Sequence, residues 1–450
     1  MNWKNFHHLM LLGGMCLLLT GCASFAKGVT EAILEHEDEG KDERVCQIEG
    51  VAFEGVESLL QKSGMPSGDT GHSQNHRTTK VMMIHGIGIH EPGYSSQFVE
   101  SLTRRLNLPV TQRVIKKVDL HQTRRAPGID LGHLSIRQFS DKDRTHDLLF
   151  YELTWSPITE KKKEAIEYDN SGEYSYRRAS INNAMKLFLN NHISDPLIYG
   201  GKTRSLVLLS ILQGFCWMVH GDWDHYADYT DQTCDIASSE EYAIQLAEDD
   251  LVLVTHSLGS RAVVDAIQWA VEVVNSPDAE RLLEGKGYLS EQGIRNILSY
   301  LSVYKDKELQ LYMLANQLPL LQLGREAPEV FGQIDQYCRP EGAHYEQRFL
   351  KKLKIVAFSD PNDLFSYAIK PEYADQHMDS RMCPEITNVI LNVAKVIDVL
   401  GIGEVANPME AHSGYHADER VIGLITQGLG QGKVDPVALK QCTWMEMVDE

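Results

Sequence analysis

The chain is short of positive charge. Its 43 lysines and arginines face 63 aspartates and glutamates, for a formal net charge of −20. That balance argues against binding to nucleic acid and against electrostatic adhesion to anionic lipid headgroups, since both need a basic surface. Long apolar runs are also lacking. The most apolar internal segment, SLVLLSILQGFCWMV at 205–219, has 15 residues, short of the roughly 20 that span a bilayer. It reads as a buried core helix or as a lid that touches lipid. Cysteine is sparse, at 8 in 450 residues, and too irregularly spaced for a metal site. No repeat is visible. Gly200-Gly201-Lys202-Thr203 has the end of a phosphate loop, but Pro196 stands where its first glycine belongs and no buried strand precedes it, so nucleotide binding is rejected.

What the chain does have is LVLVTHSLGS at 251–260. Leu251 to Thr255 read as a buried parallel strand. RAVVDAIQWAVEVV follows, with Ala262, Val263, Ala266, Ile267, Ala270 and Val274 on one helical face. Ser257 thus sits on a sharp turn between strand and helix, the setting of a nucleophile elbow. Gly259 supplies one small residue of the Gly-x-Ser-x-Gly pattern, and Thr255 stands in place of the other.

Three further loops carry chemistry. KVMMI at 80–84 reads as a strand running into His85-Gly86-Ile87-Gly88. Attack on an ester develops negative charge on the carbonyl oxygen, and fixed backbone N–H groups stabilise it. Ile87 and Leu258 are the candidate donors. KIVAF at 354–358 reads as a third buried strand, leading into Ser359-Asp360-Pro361-Asn362-Asp363. Either Asp360 or Asp363 could orient an imidazole, the other making the turn. His412 and His416 are the candidate bases, read as loop residues ahead of a helix that starts near Asp418 and shows Val421, Leu424 and Ile425 on one face. An unperturbed histidine titrates near ~6.5, which suits general base work.

Taken together, HGIG, THSLGS, FSDPNDLFSY and AHSGYH resemble the lipase and esterase branch of the α/β-hydrolase superfamily, and more distantly the GPI inositol-deacylase type. The resemblance covers roughly residues 78–155 and 250–430. It implies an α/β-hydrolase fold, a mostly parallel central sheet flanked by helices with a mainly helical insertion or cap. It implies a serine carboxylic-ester hydrolase working through an acyl-serine, without metal or cofactor, on a small-molecule or lipid ester. Relatives of this kind often carry His-Ser/Thr-x-Tyr near the end, which falls on His412, Ser413 and Tyr415, and they place the acid in an Asn-Asp-Leu stretch. The likeness thereby favours the set Ser257, Asp363 and His412, with Ile87 and Leu258 as oxyanion donors. Thr255, and His416 where those relatives have Trp, are departures. An acyltransferase with the same triad and an inactive, membrane-anchored binding protein are the alternatives. The oligomeric state is not set.

The N-terminus reads as a secretory signal over 1–21, and Leu19-Thr20-Gly21-Cys22 resembles a bacterial lipobox. That implies lipidation of Cys22, and Ala23 after it implies the outer membrane. Residues 22–77 are expected to form a partly ordered arm, 78–155 and 250–450 the core, and 156–249 the insertion. Residues 275–345 mix loop, helix and strand signals. Beyond Cys16 and Cys22, six cysteines remain, which allows up to three disulfides and fifteen pairings.

Overall fold

Parallel strands that are covered on both faces need apolar side chains in both directions, and this chain supplies them as unbroken runs. In a computed structural model, which describes residues 46–63, 78–122, 129–167, 178–232, 234, 246–276, 304–398, 404–430 and 434–445, each of those runs is a strand. They are β2 (Thr79–Ile84), β5 (Asp147–Thr154), β6 (Asp250–His256), β7 (Glu308–Leu314), β8 (Lys352–Ser359) and β9 (Pro384–Leu391). They lie side by side in the order β9-β8-β7-β6-β2-β5, all parallel. Beyond β5 the sheet continues antiparallel through β4 (Asp130–Ser140) and β3 (Lys116–His121). At the opposite edge β1 (Cys46–Gly50) pairs antiparallel with β9, and β10 (Thr443–Met445) pairs with β1. The architecture is α/β, a mostly parallel sheet with helices on both faces.

Period-two alternation divides the core into two layers. Met82, Ile84, Leu251, Leu253, Leu311 and Ile355 point to one face, under α4 (Arg204–His220) and α5 (Leu258–Asn275). Val81, Met83, Val252, Val254, Tyr312 and Val356 point to the other, under α1 (Val56–Ser63), α2 (Ser96–Arg105) and α7 (Glu419–Gln427). The strand progression turns at β2. The chain goes from β2 to β5 on one side, then returns to lay β6 on the other side and adds β7, β8 and β9 outward. A crevice forms at such a reversal, beyond the carboxyl ends of the strands.

Two segments differ from the sequence reading. Within the expected cap over 156–249, α3 (Pro157–Glu167) and the short helices Ser180–Phe188 and Ser194–Gly200 are helical as expected. The apolar α4 is a buried core helix, as its run was first read, and so belongs to the core layer and not to a cap. It packs on α5 and on β3, β4 and β5, with Val207, Leu208, Ile211, Met218 and Val219 buried. Its Ser210 hydroxyl donates to Leu131 O at 2.8 Å and its Gln213 amide to His121 O at 2.8 Å. A helix apolar on all sides must be covered on all sides. Among the described residues no helix is long and apolar enough to cross a membrane.

The expected arm over 22–77 is the second difference. Residues 46–63 form β1 and α1, with Cys46, Ile48, Val56, Leu59 and Leu60 buried in the second layer. The signal segment 1–21 and Cys22 lie outside the described residues. All six remaining cysteines pair, as Cys46–Cys442, Cys216–Cys234 and Cys338–Cys383. The first of these joins β1 to the residue just before β10 across 396 residues of sequence. By shrinking the unfolded ensemble, a link of that span contributes strongly to stability. Replacing Cys46 and Cys442 together by serine should lower the unfolding free energy by about 2–5 kcal/mol, read by urea titration of the purified chain. An unchanged midpoint would show that β1 and β10 hold without the link.

Candidate active site

The geometry starts at the turn after β6. Ser257 has φ 54° and ψ −124°, a backbone state that costs a non-glycine residue about 1–3 kcal/mol and persists only where its surroundings enforce it. Its N–H is held by Leu314 O at 2.8 Å, the carbonyl at the end of the neighbouring β7. Two glycines leave the room. A Cβ on Gly259 would stand 2.6 Å from His85 O, and one on Gly86 would stand 2.5 Å from Ser257 Cβ. Thr255, where the usual pattern has glycine, is accommodated because its hydroxyl pairs with Ser260 Oγ at 3.0 Å and Tyr312 O at 3.3 Å.

Two side chains from segments that follow β8 and β9 come together at Ser257. His412 Nε2 lies 3.1 Å from Ser257 Oγ. On the far side of the ring, His412 Nδ1 lies 2.9 and 3.0 Å from the two carboxylate oxygens of Asp363. Asp363 stands on the loop after β8. His412 follows β9, and its position corrects the sequence reading of a loop residue. It is in the last turn of α6 (Pro408–Ser413), a short helix capped by Asn407 and started by Pro408. Asn before Pro is a helix-start signal that the sequence offered. All three side chains are buried.

Asp360 and His416 do other work. One Asp360 oxygen accepts from Val393 N at 2.6 Å and Ala394 N at 3.0 Å, and the other from Asn362 N at 2.7 Å, so this carboxylate ties two loops together. His416 is packed edge-on against Phe98 and His256, and its Nε2 makes no hydrogen bond. Burial, with His90 and His412 nearby, pushes its pKa down to about 4. His256, which sequence reasoning passed over, donates from Nε2 to His412 O at 2.8 Å and so holds the backbone of the imidazole that faces the serine. Burial first, then the neighbouring histidines, holds His256 well below the ordinary range.

The loop after β2 is fixed as firmly. His85 accepts at Nε2 from Trp155 N at 3.0 Å and Ser156 N at 3.3 Å, and donates from Nδ1 to Gly86 O at 2.9 Å. The Trp155 indole N–H donates to His85 O at 3.0 Å. His85 therefore splints the ends of β2 and β5, and burial keeps it neutral. Ile87 is buried next to Gly86, which touches Ser257. Gly88, at φ 99°, donates its N–H to Asp195 at 2.6 Å, and Asp195 forms a buried ion pair with Lys163 at 2.8 Å. This clasp ties the loop to α3 and the helical segment behind it, and nothing in the sequence announces it. Leu258 opens α5, where the first N–H groups have no partner within the helix. Gln317, also passed over, donates to Ser257 Oγ at 2.7 Å.

Among the described residues no group of three or more His, Cys, Asp or Glu is placed to hold a metal ion. No known family model, curated protein or solved structure matches the chain.

The buried neutral histidines carry a pH dependence. A histidine in the unfolded chain titrates near ~6.5, whereas His416 in the folded chain titrates at about 4. Between those values the unfolded state binds protons that the folded state does not, so stability falls as the pH is lowered through the window. Denaturant unfolding from pH 7 downward should show that loss, and His416→Leu should make it shallower. Identical slopes for the two proteins would contradict a neutral His416 in the folded chain.

Proposed function

We propose that this chain is a serine carboxylic-ester hydrolase with an α/β-hydrolase fold. The observation that carries the reading is the relay Ser257–His412–Asp363, at 3.1 and 2.9 Å, assembled from a turn, a helix end and a loop beyond the carboxyl ends of the parallel strands. The order of the elements supports it. The serine follows a central strand, the His-Gly loop follows the strand beside it, and the acid and base follow later strands in the sequence Ser, Asp, His.

In the proposed reaction Ser257 Oγ attacks the ester carbonyl as His412 Nε2 takes its proton. Asp363 holds the Nδ1 proton and stabilises the imidazolium that forms. Backbone N–H groups of Ile87 and Leu258 receive the oxyanion, each such donor contributing about 3 kcal/mol. His412 returns the proton to the departing alcohol, and water then releases the acyl group. A lipid ester fits the surroundings, because Ile89 beside the oxyanion loop and Leu364 and Tyr367 beside Asp363 are exposed apolar side chains, Leu364 at 66%. Exposed apolar side chains next to the relay favour an acyl chain over a polar group. Three disulfides favour an oxidising compartment. That agrees with export to the bacterial envelope and tethering through Cys22.

Ser257→Ala and His412→Ala should each lower kcat on chromogenic esters by roughly 10⁴-fold or more, with unfolding curves like the parent's. A fluorophosphonate should label Ser257 in the parent chain, and turnover should rise with acyl length. Undiminished turnover in Ser257→Ala would end the reading, and absence of labelling would favour a binding protein.

A further inference from the structure

A second side chain reaches the hydroxyl of Ser257. Gln317 Nε2 stands 2.7 Å from Oγ, and the residue is 2% exposed. Proton counting decides which end of the amide faces the serine. Asp363 accepts the His412 Nδ1 proton, so Nε2 is the bare nitrogen and takes the one proton of the Ser257 hydroxyl. What remains on Oγ is lone pairs, and only the NH₂ end of Gln317 can pair with those.

Gln317 is also held in place. It lies just past the end of β7, after Ala315, whose φ of 52° turns the chain sharply. Asn316 N donates to Phe358 O at 3.1 Å, and the Asn316 amide donates to Tyr367 O at 2.8 Å. Tyr367 N returns a bond to Asn316 O at 3.0 Å. Gln317 O accepts from Leu321 N at 3.0 Å, at the start of the short helix Leu318–Gln322. The backbone that carries Gln317 is thus fixed to the end of β8 and to the Asp363 loop, and the amide it carries is aimed at the nucleophile before the reaction begins.

We propose, resting on the serine-hydrolase reading, that Gln317 is a catalytic residue whose amide N–H stabilises Ser257 Oγ as the leaving group when the acyl-enzyme is hydrolysed. In that step His412 Nε2 takes a proton from water and the water oxygen bonds to the acyl carbon. The bond from that carbon to Oγ then breaks, its electron pair stays on Oγ, and His412 returns the proton there. An ester oxygen is a weak acceptor, whereas a departing oxygen carrying negative charge is a strong one. The Gln317 bond therefore strengthens on the way to the transition state, which is the condition for acceleration. During attack the same bond starts on a hydroxyl oxygen, already a good acceptor, so acylation gains less.

The test uses the full chain, a 4-nitrophenyl ester, stopped-flow kinetics and intact-protein mass measurement. Gln317→Met keeps the length of the side chain and removes the donor. Deacylation should slow about tenfold or more, acylation should change less, and acyl-enzyme should accumulate as a burst. Gln317→Glu donates only when its carboxyl is protonated, so its deacylation rate relative to the parent should recover as the pH is lowered. That recovery decides the matter if Gln317→Met does not fold. Parent-like deacylation in Gln317→Met, or a pH-independent ratio for Gln317→Glu, would overturn the role of Gln317 alone. A parent chain that neither turns over the ester nor reacts with a fluorophosphonate would overturn the serine-hydrolase reading and this role with it.

Discussion

The arrangement around Ser257 depends on a backbone state that the residue would not adopt alone. A φ of 54° in a residue with a Cβ is unfavourable, and it survives because everything around it is already committed. Leu314 O takes its N–H, α5 begins immediately after it, and Gly86 and Gly259 are packed so closely that neither has room for a methyl group. That close packing brings the ends of β2 and β6 near enough for the His-Gly loop to lie against the serine. A side chain at either position would push the two strand ends apart, and the hydroxyl would lose its fixed place between His412 and Gln317.

From that turn outward the site is built by redundancy. Each side chain facing the serine has a second residue fixing its backbone or its ring. His256 holds His412, and Asp360 ties the loop that carries Asp363 to the segment after β9. Asn316 fixes the turn that carries Gln317, and His85 with the Asp195–Lys163 pair fixes the loop after β2. Several of these supports are buried and polar. That is affordable only because nearly every hydrogen-bonding atom in them has a partner. Histidine recurs because a neutral ring can donate on one side and accept on the other, bridging two backbone segments in a dry interior.

Three strands of the parallel core were legible because burial on both faces forces unbroken apolar runs, as in KVMMI, LVLVT and KIVAF, whereas β7 lay in a region of mixed signals and β9, PEITNVIL, is interrupted by polar residues and was not read. Ser257 and its helix were legible for the same reason, with Gly259 as a local mark. The choice between Asp360 and Asp363 was not, since both are turn-formers at a strand end. What separates them is Val393 and Ala394, some thirty residues on, whose amides claim Asp360. Strand β1 was hidden because it is short and follows a charged stretch, and its pairing with β9 and β10 and the bond to Cys442 make it part of the sheet. The run at 205–219 was read first as a core helix, being too short to span a bilayer, but a helix apolar all round carries no directional pattern to say what covers it, so a lid stayed open. Gln317 left no trace, since it lies in a stretch of mixed helix and strand signals and the contact exists only after β7 and β6 pair.

The central claim is that an activated Ser257 hydroxyl faces a ready oxyanion site. The most direct measurement is a crystal structure of the chain after reaction with an alkyl phosphonate ester. The account predicts a covalent bond from Ser257 Oγ to phosphorus, with a phosphoryl oxygen within hydrogen-bond reach of the Ile87 and Leu258 N–H groups. An unmodified Ser257, or an adduct whose phosphoryl oxygen points away from both, would contradict it.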